Sequence, residues 1–306
     1  MDEALYACRF VQFTAAMLIF GAAAFRVYGL PESDTRTASS ILAEFDAWFG
    51  NVALAAALVA LISAMAFVLC QAAAMAGSPA AAVDVAAVSA VLLETRFGRV
   101  WCWHLLLAAI LVLACLGRHP RRPAVLFLSL GLLASLGWVG HAAMDAGLAG
   151  IAHELNQTVH LLAAGLWLGG LVPLAWVLRQ ARRQPGAFEI SVTRDALRNF
   201  SHIGYVAVAL IALTGAINAL LLVGSLDAMF DTSYGRLLAF KILLFLAMVI
   251  VALINRFRLA PRISHDSGAL RALGRTVALE QGLALAVLAI ISVLGTWPPA
   301  PYDGRG

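Results

Sequence analysis

Eight apolar runs divide the chain, at about residues 6–28, 50–74, 100–116, 124–143, 155–178, 203–223, 237–255 and 277–296, and short polar segments separate them. At 1.5 Å per helical residue each run is long enough to cross about 30 Å of hydrocarbon. Backbone amides and carbonyls cannot be left open in lipid. Uninterrupted apolar runs satisfy them as helices, whereas barrel strands would alternate. The pattern therefore predicts an all-α fold, a polytopic membrane bundle of eight transmembrane helices. The first run follows Met-Asp-Glu and has no basic leader region, so it is expected to be a retained span and not a signal peptide.

The pattern also repeats. Glu94-Thr-Arg-Phe-Gly-Arg-Val-Trp-Cys-Trp-His104, ahead of span three, matches Asp231-Thr-Ser-Tyr-Gly-Arg-Leu-Leu-Ala-Phe-Lys241, ahead of span seven, at an offset of 137 residues. Acid, Thr, aromatic, Gly and Arg recur in register. The expected organisation is two duplicated four-helix halves, residues 1–143 and 144–306, within one integral membrane domain. An even number of spans per half keeps the halves parallel, related by an axis along the membrane normal. His104 and Lys241 are then pseudo-equivalent.

Composition agrees with the runs: 62% of residues are hydrophobic and 12% charged, where soluble domains carry about 25% charged residues. The formal charge of +4 does not imply a nucleic-acid partner, because the arginines sit in short loops, where they set orientation. Fifteen of the 21 Arg and Lys residues fall in the first, third, fifth and seventh loops or at the adjoining span ends. The positive-inside rule makes that face cytoplasmic and places both termini, with the 144–154 loop, outside. Four cysteines, without a CxxC pair, predict neither a disulfide nor a zinc site.

Candidate chemistry concentrates between spans four and five. His141, His153 and His160 lie within twenty residues there, and the 144–154 loop has no Lys or Arg to repel a cation. Imidazole suits copper, zinc, iron and nickel, so three converging imidazoles at the mouth of a bundle make a candidate metal site. Met144, Asp145 and Glu154 are auxiliary thioether and carboxylate donors. If the fifth helix already runs from His153, then His153 and His160 share a face with Asn156 and Gln157. His104 follows Trp101 and Trp103, read as part of an outer aromatic belt, and is a fourth candidate ligand below it. Lys241, the only lysine, is a candidate charge gate or acid partner. Glu280 is expected to pair with Arg256 or Arg275. The glycine-rich runs at Trp167-Leu-Gly-Gly and Thr214-Gly-Ala-Ile-Asn218 are expected to permit close helix approach, with Asn218 bonding across it. No Walker loop, GxGxxG, HExxH or GxSxG with partners occurs, so neither an ATP-driven pump nor a hydrolase is indicated, and no enzymatic activity is expected.

Gly140-His-Ala, Asn156 to His160, Trp167-Leu-Gly-Gly-Leu-Val-Pro-Leu174, Phe200-Ser, Thr214-Gly-x-x-Asn218, Thr232-Ser-Tyr-Gly-Arg with Lys241, Asn255-Arg256 and Pro298-Pro299 together resemble the CopD family of bacterial copper resistance proteins. The resemblance covers nearly the whole chain and is strongest from Gly140 onward. It implies a multi-pass protein of the bacterial inner membrane, both termini periplasmic, that binds copper as Cu(I) or Cu(II), passes it across the bilayer and works with a periplasmic CopC-like carrier. Carried over by position, the family's histidines fall on His141, His153 and His160. Two rival readings follow from the residues alone. One is a b-type haem electron-transfer protein, since histidines at matched depth on different helices clamp haem iron. The other is a metal-free membrane scaffold.

Overall fold

The computed structural model describes residues 2–30, 36–116, 122–140, 147–184, 186–263 and 266–299, and every regular element among them is helical. In chain order these are α1 (Asp2–Tyr28), α2 (Arg36–Ala76), a short α3 (Val85–Glu94), α4 (Arg96–Cys115), α5 (Arg122–Ser135), α6 (Gly147–Ala164), α7 (Leu171–Arg183), α8 (Ala187–Val223), a short α9 (Leu226–Asp231), α10 (Ser233–Ile254) and α11 (Ser267–Leu294). A π-helical turn, Gly165–Gly169, joins α6 to α7, and another, Asn255–Leu259, ends α10.

Seven helical rods among the described residues are long and apolar enough to cross a membrane. The segment expected as span four is shorter. It comprises α5 with a 3₁₀ turn, Leu136–Trp138, and its seventeen residues reach roughly 25 Å. Two other helices overrun their apolar runs. α8 begins sixteen residues before position 203 because Thr193, Ala196, Leu197 and Phe200 form a buried stripe at helical spacing while Arg194 and Arg198 face out. α2 likewise extends through buried Phe45 and Phe49.

The described ends of the chain meet at one face of the bundle. There the Trp297 indole N–H donates to the Tyr6 hydroxyl at 3.2 Å, and Asp2, Phe97, Gly140 and Trp297 line a common cavity. At the other face the end of α1 is tied to the starts of α2 and α5: Arg26 pairs with Asp46 at 2.8 Å, and Arg122 pairs with the same carboxylate. Gln180 of α7 donates to Glu44 there at 2.7 Å.

α1 is the hub. It packs against α2, α5, α7, α8, α11 and the Gly165–Gly169 turn, and 72% of its most apolar stretch is buried, against 6% for α10, which faces outward. Its approach to the π turn is backbone on backbone: a Cβ on Gly169 would strike the Met17 carbonyl, and one on Gly21 would strike Gly165 and Gly169. The glycines of Trp167-Leu-Gly-Gly thus serve close approach, as expected.

The two aromatic-Gly-Arg turns share one conformation. Thr95 (φ −98°, ψ 154°) and Thr232 (φ −98°, ψ 152°) both cap the helix that follows. Their hydroxyls accept from Gly98 N–H at 2.8 Å and Gly235 N–H at 3.0 Å, and donate to the carbonyls of Val91 and Ala228. Gly98 and Gly235 are required because a Cβ at either would strike the backbone of the preceding short helix.

Two measurements test this arrangement. Gly169→Ala is expected to cost about 1–3 kcal/mol through overpacking, read as a lowered thermal midpoint, whereas Gly204→Ala, with nothing within 4 Å of the added carbon, leaves the midpoint unchanged. Equal midpoints for the two variants would remove the close contact. For orientation, Ala149→Cys in an otherwise cysteine-free protein should react with an impermeant thiol reagent in intact cells while Gln184→Cys stays protected. The reverse pattern would overturn the charge-based topology.

Candidate functional site: an outer cavity between α1, α6 and α10

A cavity of about 140 Å³ lies near the face where the chain ends meet, and is called the outer cavity because the charge rule expects that face outside. α6 contributes His153, Gln157 and His160 to its wall, α1 contributes Arg9, Phe13 and Met17, and α10 contributes Lys241. Helical spacing puts His153 and His160, seven residues apart, on one side of α6. Both are buried, at 4% and 9% exposure.

The hydrogen bonds around His160 orient its ring. Its Nδ1 lies 2.8 Å from Thr214 Oγ1, and the single Thr214 hydroxyl hydrogen is directed to the Leu210 carbonyl at 2.5 Å. The hydroxyl is therefore the acceptor and His160 Nδ1–H the donor, which leaves Nε2 as the unprotonated nitrogen. Gly215 makes room for this placement, since a Cβ there would lie 3.4 Å from the ring. A histidine held through Nδ1 by a neighbouring oxygen, with Nε2 bearing the lone pair, is the usual state of a metal-ligating imidazole.

His104 is built differently. Its Nδ1 lies 2.7 Å from Ser135 Oγ, whose hydrogen goes to the Leu132 carbonyl, and its Nε2 lies 2.7 Å from the Gln12 amide nitrogen. Gln12 in turn accepts from Ser63 at 2.5 Å. Every donor in this chain meets an acceptor, both ring nitrogens are used, and His104 is fully buried away from the outer cavity. Trp101, expected in an interfacial belt, is instead 2% exposed, stacked on His104 at 4.6 Å and donating to the Ala64 carbonyl. Trp103 faces outward. The helical period turns neighbouring tryptophans to opposite sides.

The other expected residues are distributed as follows. Glu154, fully buried, accepts from Arg96 through one oxygen while the other has no hydrogen-bond partner, and it does not line the outer cavity. Asn156 donates to Asn218 at 2.8 Å and to the Thr214 carbonyl at 3.1 Å, and Asn218 donates to Gln157 at 2.8 Å, which confirms the expected bonding across the α6–α8 approach. Trp167 is buried against Phe245 and lines a second cavity of about 250 Å³ on the far side of the π turn. Glu280 lines that inner cavity too. Its hydrogen-bond partner is Asn255, at 2.5 Å, in place of the expected Arg256 or Arg275. His141, Met144 and Asp145 lie outside the described residues. Gly140, which precedes them, lines the outer cavity.

Among the described residues no group of three His, Cys, Asp or Glu side chains converges as a metal shell. Arg9 and Gln12 were missed in the sequence as site residues, although an Arg and a Gln within an apolar run are themselves a signal.

Fold and cavity together define a multi-pass α-helical membrane protein with an imidazole-bearing outer cavity. A sequence profile described as "Copper resistance protein D-like, N-terminal domain" matches residues 1–151, and one described as "Copper resistance protein D" matches residues 194–294. The chain belongs to the copper resistance protein D family. It is 33% identical to the inner membrane protein YebZ of Escherichia coli K12 over 96% of this chain and 97% of that protein. With copper resistance protein D of Pseudomonas syringae pv. tomato it shares 32% over 99% of each. It is also 30% identical to the copper transport protein CutJ of Bacillus subtilis, over 69% of this chain and 38% of that protein. No solved structure matches it significantly.

Proposed function

We propose that this protein takes up copper at the periplasmic face of the inner membrane and passes it inward, without catalysing a chemical reaction. The observation that carries the reading is His160: a buried imidazole oriented by Thr214 through Nδ1, on a cavity wall that it shares with His153. Copper is the cargo. The donor set fits it in kind, since imidazole nitrogen serves Cu(II) well and tolerates Cu(I). It is incomplete in number, and His141, one residue beyond the cavity-lining Gly140, supplies the third imidazole in this reading. Met144 and Asp145 are the auxiliary donors, and a CopC-like carrier is the delivering partner.

The transport direction runs from the outer cavity past the Gly165–Gly169 turn to the inner cavity, where Trp167 and Glu280 stand. Support for a route comes from the π turn itself, whose residues contribute to both: Leu168 to the outer wall and Trp167 to the inner. Such turns recur at functional sites because they loosen the helical ladder locally.

The reading carries an eight-span topology with both termini periplasmic. α4 leaves the face where Phe97 and Trp297 meet, and α5 starts at the opposite face beside Asp46 and returns to Gly140. In this reading α5 crosses despite its length. The matched Thr95 and Thr232 caps support two four-helix halves, residues 1–143 and 144–306. In the first half a polar node of Gln12, Ser63, His104 and Ser135 is closed on itself. In the second, His160, Thr214 and Lys241 occupy the corresponding helices, and His160 and Lys241 line the cavity.

Copper titration of purified protein tests the assignment. His153→Ala or His160→Ala should weaken binding tenfold or more, on the order of 1.4 kcal/mol, and His202→Ala should not. His104→Ala should keep the copper but lose stability by about 1–3 kcal/mol, because Gln12 and Ser135 lose their partner. Copper binding that survives joint removal of His141, His153 and His160 would defeat the assignment.

A further inference from the structure

The outer cavity is electropositive. Arg9 and Lys241 both line it, from α1 and α10, and no Asp or Glu does among the described residues. None of the ion pairs among the described residues involves either cation. Arg9 Nε is covered and has no hydrogen-bond partner, and the guanidinium lies 5.6 Å from the Phe13 ring and against Gly295. Asp2, the nearby carboxylate, lines the adjoining cavity that Arg9 also borders, and makes no ion pair with it. Two basic side chains at membrane depth, with no carboxylate of the described residues between them, call for a mobile counter-charge. The wall also offers donors. Gln157 accepts from Asn218 on its oxygen, so its amide hydrogens remain for another partner on the same wall.

We propose that the outer cavity binds a small monovalent anion, a halide or a small carboxylate, between Arg9 and Lys241. About 140 Å³ admits an ion of chloride or acetate size with a few waters, and a wall that includes Phe13, Met17, Leu161 and Leu238 disfavours a polyhydroxylated anion such as gluconate, whose hydroxyls would lack partners there. The site stands on the cavity's charge and size and does not require copper. Where the copper reading also holds, it specifies the cargo further: the metal rests beside its imidazoles with an anion alongside, so that it is not held naked against two cations.

Chloride-35 NMR line broadening, recorded on the metal-free full-length protein in phosphatidylcholine nanodiscs with chelator present, reads the anion alone. Excess linewidth is expected for the wild type, displaced by acetate and not by gluconate. It should fall at least fivefold in Arg9→Gln and in Lys241→Met and be retained in Lys241→Arg. Absence of excess linewidth, displacement by gluconate equal to that by acetate, or unchanged linewidth in both charge-removing variants would overturn the site. The gluconate comparison needs no variant, so it decides even if a variant fails to fold. Loss of copper binding in the histidine variants with chloride broadening intact would leave the anion site standing, and the converse would sink it alone.

Discussion

The structure depends on a place where two helices touch without side chains between them. Met17 and Gly21 of α1 lie directly on the backbone of the Gly165–Gly169 turn, and few sequences other than a glycine pair allow that distance. Because α1 is pinned there, its preceding turns carry Arg9, Phe13 and Met17 against the histidine-bearing side of α6, and the outer cavity is the space they leave. On the other side of the same contact the chain resumes as α7, with Trp167 turned toward the inner cavity. The contact thus separates two cavities and sets the geometry of both.

Polar groups in such a bundle are costly unless paired, and this protein pairs them in two ways. Around His104 both ring nitrogens are paired, in a run of hydrogen bonds from Ser63 through Gln12 and His104 to Ser135 and the Leu132 carbonyl. That node is a stabilising post, because removing one member strands the rest in a low-dielectric interior. Around His160 the pairing stops one bond short. Thr214 takes Nδ1–H, and the ring lines the cavity. An imidazole with both nitrogens engaged away from the cavity and another on the cavity wall are the contrast on which the proposed copper ligation rests.

Much of this was legible in the sequence. Apolar runs announced the helices, the Thr-x-aromatic-Gly-Arg repeat announced two matching caps, and the Thr214-to-Asn218 motif announced the α6–α8 bonding. What the runs could not convey were amphipathic extensions such as residues 187–202 of α8, which bury a stripe although their average composition is polar. The place of Arg9 in the site was also hidden. The cavity residues of α6 and α10 that it faces are more than 140 positions away, and hydrophobic periodicity carries no information on which distant helix a turn will face. Glu280 was assigned to arginines by proximity in sequence and charge. Burial favoured the neutral Asn255 amide, itself held by Thr276.

The central claim is that copper is held by imidazole nitrogens of His153 and His160. X-ray absorption spectroscopy of the copper-loaded, full-length protein examines the bonded atoms themselves. The account predicts a nitrogen shell with the multiple-scattering pattern of imidazole, diminished in His153→Ala and in His160→Ala. A sulfur-dominated shell, or an imidazole pattern unaltered in the double variant, would contradict it.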